Sequence, residues 1–351
     1  MRRQVFGVIS AILLLAVASA AGQEIRQLPN GIYSTDTLTA AVAAGDGTTI
    51  YVKSAINLAG SLTVKGVAAD GLKVAFVKQA KAASMSQAID FIDLVAVTAY
   101  EGPNSAYVEF RAPNPAPWSG TDYSGRIEAV LLAPEGASVE IDAYYYDVSV
   151  EGPLAGLVIP ESLGQLDISD ITENLEVATA NRRINLENIS GRISAATSNS
   201  ALSAQTIKCL QSQARFRNEG GDIQIIDFEG AINAKNDFGR ITIEDFRPRG
   251  QSSFIRNSSA PIMIEISDMA EGQLVVSNRH EDIDISIPDT LSAYFSLTVG
   301  DNGVIETSGF PVRSELVERN RLNLISGDGK VDINGSVRGE GNIYIRGTRG
   351  D

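Results

Sequence analysis

His280 is the only histidine and Cys209 the only cysteine among 351 residues, and these two counts decide much of the chemistry open to the chain. A serine nucleophile needs an imidazole held beside it. His280 instead stands in the acidic run Arg279-His280-Glu281-Asp282 with no Gly-x-Ser-x-Gly elbow near it, and it reads as a solvated loop residue. One histidine and one cysteine cannot furnish a typical zinc site. A lone cysteine also excludes an intramolecular disulfide in any compartment, and Cys209, close to Ile207 and Leu210, reads as a small buried hydrophobe. Carboxylates remain. Glu281, Asp282 and Asp284 cluster, as do Asp328 and Asp332, but neither group has the spacing of an EF-hand or of a Gly-Gly-x-Gly-x-Asp repeat, so both read as acidic turns. Asp227, Glu244 and Asp245 could offer acid and base to a glycosidic bond if they lay on neighbouring turns of a repeat. The outer face of any strand carries alternating polar residues whatever its function. No catalytic set, cofactor-binding motif or metal-ligand set is expected.

Any such groups would be positioned by a repeat that runs over residues 139–345. One apolar slot is filled by Val148, Leu166, Ile184, Leu202, Ile223, Ile241, Ile262, Ile283, Val304 and Val331, at steps of 18, 18, 18, 21, 18, 21, 21, 21 and 27 residues. Nine residues earlier comes a second slot: Val139, Leu157, Leu175, Ile193, Ala214, Ile232, Ser253, Leu274, Phe295 and Leu322, of which only Ser253 is polar. A small or apolar residue follows two places after each, the period that puts alternate side chains on one face of a strand. Units of about 20 residues with two short strands cannot bury an apolar face alone and must stack. The pattern predicts an all-β chain built as a single-stranded parallel β-helix or solenoid. The three-residue adjustments are expected as bulged loops outside the strands.

A polar slot is as regular as the apolar ones. Thr179, Thr197, Asn218, Asn236, Asn257 and Asn278 occupy it in six successive repeats. If the slot points inward at a corner, Asn218, Asn236, Asn257 and Asn278 form a structural ladder in which each amide donates to the carbonyl oxygen of its neighbour. A row of exposed amides matching sugar hydroxyls is the alternative.

Residues 23–136 carry strands without this period. Residues 49–52, 61–64 and 73–77 read as a meander, residues 79–94 as a helix with Met85, Ile89 and Ile92 on its apolar face, and residues 106–111 and 126–132 as two further strands. Ser84 can cap the helix if it starts late. Between the last two strands lies a proline-rich loop holding Trp118, which either stacks on a sugar or plugs the core. The division expected is therefore a secretory segment over 1–20, a β-rich region with one helix over 23–136 and the repeat domain over 137–351.

The secretory segment is read from Arg2 and Arg3, the apolar run 5–18 and the small residues Ala18-Ser19-Ala20. The run is shorter than the roughly 20 residues needed to span a bilayer, and no second long apolar run follows, so no membrane insertion is expected after cleavage. Removing Arg2 and Arg3 leaves 27 basic against 43 acidic residues, a net charge of −16. Repulsion of that size argues against nucleic acid as a partner. The terminal Arg349-Gly350-Asp351 matches an integrin-binding tripeptide but reads as coincidence in a Gly/Arg-rich tail.

The cadence of "NISGRISAAT", "EGGDIQIIDFEGAINAKNDFGRITIEDF" and "SGDGKVDINGSVRGEGNIYIRG" resembles the bacterial adhesin-like family of DUF4097 type, whose members carry Ser/Gly-Gly-Asp-Ile rungs. Gly-Gly-Asp-Ile is complete here only at residues 220–223, with Phe-Gly-Arg-Ile and Asp-Asn-Gly-Val as departures elsewhere. The resemblance implies a β-helical secreted or cell-envelope protein and no catalytic residues. The function expected is thus a non-enzymatic adhesin-like binding or scaffold protein, secreted or periplasmic, for an extended ligand that is a glycan or an envelope protein. An envelope accessory or stress-related protein and a β-helical polysaccharide-degrading enzyme are the alternatives.

Overall fold

Alternating apolar and polar residues become strands once a second strand can accept their hydrogen bonds, and nearly every such run in this chain finds two neighbours. The computed structural model describes residues 24–45 and 47–349; the expected secretory segment, Gly350 and Asp351 lie outside them. Within the described residues the chain is all-β, with 27 strands and one α-helix, Met85–Asp93.

From Ser138 onward each repeat enters two parallel ladders, as two strands or, in Tyr145–Ile159, Leu166–Thr179, Leu202–Arg217 and Ile223–Lys235, as one bent strand that serves both. In the first, Val148, Leu166, Ile184, Leu202, Ile223, Ile241, Ile262 and Ile283 lie in register one above the next. In the second, Val139 pairs with Leu157, Leu157 with Leu175 and Leu175 with Ile193. The column continues through Ala214, paired with Ile232, and Ser253, paired with Leu274. All these side chains are at most 2% exposed, and the apolar ones belong to one core cluster. Ser253, the polar member, accepts the Ile232 N–H at 3.2 Å, so its hydroxyl is satisfied inside the core.

Two local devices bend each rung. At one corner a residue with positive φ interrupts the strand: Asp170, Asn188, Thr206, Asp227 and Asp245, with φ between 49° and 60°. Short side chains that bond locally tolerate this region best. At the next corner Gly191 takes φ +92°, and a Cβ there would lie 2.1 Å from the Glu173 carbonyl oxygen. The first three-residue adjustment is the bulge at Leu210, Gln211 and Ser212, where pairing jumps from Cys209 to Gln213. It lies inside the strand Leu202–Arg217, not between strands as the repeat count predicts.

Both ends of the stack depart from sequence order. Ile283 pairs with Ile343, not with Val304, and Leu274 pairs with Ile333, not with Phe295. The chain leaves Ile283–Pro288, skips one level to form Ala293–Thr298 and Ile305–Ser308, folds an antiparallel hairpin of Arg313–Val317 and Arg321–Ser326, and returns. Val331–Val337 and Ile343–Thr348 then fill the skipped level, pairing in parallel on both sides. The expected places of Val304, Val331 and Leu322 in sequential stacking are corrected accordingly: Val304 is half exposed, Val331 lies beside Ala293, and Leu322 faces Leu297 in an antiparallel pair.

At the other end the expected meander is replaced by the same arrangement. Thr49–Ser54 and Leu58–Val67 lie between the level of Ser105–Arg111 with Ser124–Pro134 and the level that begins the repeats, parallel to both. Hydrogen bonding and the apolar cluster therefore run continuously across residue 137. Antiparallel strands Ala96–Gly102 and Leu72–Lys81 close this end. The helix is shorter than predicted because residues 79–81 belong to the strand Leu72–Lys81; it is capped by Ser84, which accepts the Gln87 N–H at 3.3 Å. It buries Ala88, Phe91 and Ile92, while Met85 and Ile89 are 39% exposed.

Candidate functional site

The asparagine row lies at a buried corner. Asn218, Asn236, Asn257 and Asn278 are between 0% and 5% exposed. Their amides do not donate to one another's side chains. Asn218 Nδ2 donates to Ser200 O at 2.7 Å and Gly221 O at 2.8 Å, Asn236 Nδ2 to Gly221 O at 2.7 Å, Asn257 Nδ2 to Gly239 O at 2.8 Å and Asn278 Nδ2 to Ala260 O at 2.9 Å. The Oδ1 atoms of Asn218, Asn236 and Asn257 accept the next residue's N–H at 2.8 to 2.9 Å. Each amide thus ties the carbonyls of a preceding rung to the turn it starts, because a bent backbone leaves those groups without ladder partners. Thr179 and Thr197 do the same with one hydroxyl, donating to Gly164 O at 2.7 Å and Arg182 O at 2.8 Å.

Asp227 and Asp245 sit one above the other in the positive-φ row, with Arg247 between them. Its guanidinium donates to both Asp245 oxygens, at 2.9 and 2.8 Å, and to Asp227 Oδ1. The Ser267 hydroxyl bonded to Asp245 holds that carboxyl below the usual range, and Arg247 acts in the same direction. A general acid needs the opposite shift. Glu244 is exposed and takes no part in this cluster. Four residues after the anchor slot, Asp, Asn or Thr recurs at 170, 188, 206, 227 and 245; that spacing was the available signal for a bend row.

The other residues singled out by type scatter. His280 is exposed, Cys209 is fully buried with Sγ 3.2 Å from Ser212 O, and Trp118 is buried against Phe91 with Nε1 donating to Asn57 O at 2.9 Å. Asp282 accepts the Asn342 N–H at 2.7 Å, and Asp284 pairs with Arg346 at 2.8 Å, so both brace the returning C-terminal level. Tyr100, Tyr107 and Tyr51 stack along one outer column with centroids 4.9 and 5.1 Å apart, which spends their ring faces on each other.

A second outward column collects cations. Arg217, Lys235 and Arg256 are paired residues on successive strands. Ser277 and Ser336 continue the column, and two residues beyond each come Arg279 and Arg338. All five basic side chains are exposed. Lys235, Arg256, Arg279 and Arg338 surround a depression of about 190 Å³ whose remaining lining is Asn236, Asn257, Ser258, Ser277 and Asn278, with no carboxylate. Among the described residues, Arg256, Arg279 and Arg338 have no carboxylate within 4.0 Å; Lys235 approaches Asp237 at 3.9 Å and Arg217 approaches Glu219 at 3.8 Å. In the neighbouring column stand Arg215, Asn233, Phe254, Val275 and Asn334, with the Arg256 guanidinium 5.6 Å from the Phe254 ring centroid. The sequence held every one of these residues, but Arg338 joins them only through the out-of-order level.

No helix among the described residues is long and apolar enough to cross a membrane. No family model matches the chain, and no curated protein matches it. The resemblance to the DUF4097 type therefore stands on the rung motif alone. Among solved structures, a "putative cell adhesion protein" of Clostridium sporogenes aligns with 89% of this chain and 99% of its own at 10% identity and a TM-score of 0.23. A "putative adhesin" of Parabacteroides merdae aligns with 88% and 95% at 8% identity and a TM-score of 0.33. A "putative lipid binding protein" of Parabacteroides distasonis aligns with 88% and 96% at 8% identity and a TM-score of 0.21.

Proposed function

We propose that this chain is a parallel β-solenoid of DUF4097 type, secreted or held in the cell envelope, that acts without catalysis as an adhesin-like binding or scaffold module for an extended ligand. The observation that carries the reading is the outward face of the parallel levels, where side chains of successive strands form straight columns. Columns repeating at one strand spacing, about 4.8 Å, fit a ligand that itself repeats along a line. The ion-paired state of Asp227 and Asp245 supports the non-enzymatic part, since carboxylates clamped by Arg247 are poorly placed to exchange protons.

The test is a pull-down with the purified chain against immobilised glycans and isolated envelope proteins. Binding to a polymer supports the adhesin-like role, whereas one specific protein partner with no polymer binding moves the function to an envelope accessory. Product formation from a glycan, abolished by Glu244→Ala, overturns the non-enzymatic reading.

A further inference from the structure

We propose that the cationic column is a binding track for a linear acidic polysaccharide carrying one carboxylate per sugar, with the depression between Arg256, Arg279 and Arg338 as its tightest subsite. The inference rests on the adhesin-like reading above and names the ligand class for that face. Five consecutive levels each present one exposed cation: Arg217, Lys235, Arg256, Arg279 and Arg338. At one strand spacing the five levels span about 19 Å, with Arg279 and Arg338 set two residues farther along their strands than Arg217, Lys235 and Arg256, a stepped row of charges for a polymer whose own charges recur at every ring.

Charge placement argues for this occupant. The chain carries 43 acidic and 29 basic residues, so a depression lined by four cations and no carboxylate runs against the overall balance. The acids beside the track thin out along it. One residue past the Asn row the side chains run Glu219, Asp237, Ser258, Arg279, so the first two levels carry an acid beside their cation, the third a hydroxyl, and at the fourth this slot holds the track's own cation. Ser258 Oγ lies 3.3 Å from Asp237 Oδ1 and helps hold that last acid at the rim. Unpaired guanidiniums on the surface are poised for bidentate contact with carboxylates.

The column alongside suits a sugar more than a peptide or a nucleic acid. Phe254 and Val275 offer apolar surface for the C–H face of a pyranose, and Asn233 and Asn334 flank them with amides for hydroxyls. Topology completes the site: Arg338 N donates to Asn278 O at 3.2 Å only because the returning strand Val331–Val337 lies against Gln273–Asn278.

The experiment uses the full chain with polygalacturonate, alginate and neutral galactan as probes, measured by affinity electrophoresis and calorimetry at low and high salt. Binding to the two polyuronates, weakened at least about tenfold by the double variant Arg256→Gln/Arg338→Gln, is expected; that factor corresponds to about 1.4 kcal/mol. Lys73→Gln, an exposed site in the strand Leu72–Lys81 at the other end of the stack, should leave binding unchanged, and circular dichroism of all variants should match the parent. Raising the salt should weaken polyuronate binding. Polyuronate affinity that survives the double variant, or that ignores salt, overturns the track. Binding of neutral galactan alone overturns the acidic ligand but leaves the adhesin-like reading standing. Failure to bind any polymer, with one envelope protein captured instead, overturns both.

Discussion

Replacing Asn218 with Asp changes one amide nitrogen to oxygen in a side chain of unchanged shape, and so isolates what the asparagine row contributes. Asn218 is fully buried. Its Nδ2 donates to Ser200 O at 2.7 Å and to Gly221 O at 2.8 Å. Gly221 O keeps a second donor, Asn236 Nδ2 at 2.7 Å, so the loss falls on Ser200 O. One buried carbonyl left unpaired costs about 2 kcal/mol, which is also the expectation for Asn218→Ala. In the Asp variant a carboxylate would press against the carbonyl oxygens of Ser200, Gly221 and Asp222, and burial beside them raises its folded pKa. A rise of about two units, modest for a buried acid, adds about 2.7 kcal/mol. The sign follows from linkage: a raised folded pKa gives no penalty below the unfolded value near 4, and the penalty grows as pH rises toward the folded value. Asn218→Asp should therefore be about 5 kcal/mol less stable than the parent at pH 7 and recover toward it near pH 4, where a protonated carboxyl can donate to Ser200 O. Urea midpoints of the parent and both variants at several pH values provide the assay, with amide exchange at residues 200–202 and 218–222 locating the change. An Asp variant that follows the Ala variant at every pH, or matches the parent at pH 7, refutes the role assigned to the row.

The other predictions concern the corners and the ends. Gly191→Ala should cost about 3 kcal/mol, read from the thermal midpoint, because a non-glycine residue is strained at φ +92° and its Cβ would meet the Glu173 carbonyl at 2.1 Å; an unchanged midpoint removes the constraint. Arg247→Ala should cost at most about 1 kcal/mol, given the partial exposure of its pairs. Asp245 has a lowered folded pKa, so its contribution is present at neutral pH and is lost as pH falls through that value, and the difference from the parent should vanish in acid. Ending the chain after Lys330 should strip exchange protection from Gln273–Asn278 and Ile283–Pro288 while leaving Leu166–Thr179 protected, since the missing strands pair with the former two. Stacking in sequence order predicts fraying of residues 293–308 alone.

What the sequence revealed was whatever repeats. The anchor slots from Val148 to Ile283 carry the ladder register directly, because each strand meets the same partner on either side and only β-branched or large apolar residues fill a closed core. The Asn slot was visible for the same reason, but its donors' targets were not. Spacing places the amides one above another without saying that the bent backbone beside them offers stronger acceptors. The helix face was misread because Met85, Ile89 and Ile92 fit the period as well as Ala88, Phe91 and Ile92, and only the aromatic contact between Phe91 and Trp118 decides which stripe turns inward. The cationic track was illegible as a cluster, since Arg256 and Arg338 are 82 residues apart in a chain whose period predicts other neighbours for both.

The failure of sequence order at both ends has one physical cause. A repeat is unchanged by translation, so Val304 and Ile343 satisfy the slot above Ile283 equally well, and nothing inside the pattern ranks them. The ranking comes from the edge. A stack of parallel levels ends in a row of open N–H and C=O groups that invites another chain, and a terminal strand laid last would itself be that edge. Inserting the last level beneath an earlier one gives both of its sides a partner and leaves the closing position to the hairpin of Arg313–Val317 and Arg321–Ser326, whose antiparallel turn is short. Thr49–Ser54 is enclosed in the same way between Ser105–Arg111 and Ser138–Asp142. In both cases the enclosed level must wait for, or displace, a neighbour already formed. Folding of the ends is then non-local even though the middle is built from contacts about 20 residues apart, and non-local pairing is the slower step. The middle should therefore protect its amides first and the levels at 49–67 and 331–348 last, an order that pulse-labelled exchange can read and that simultaneous protection would contradict.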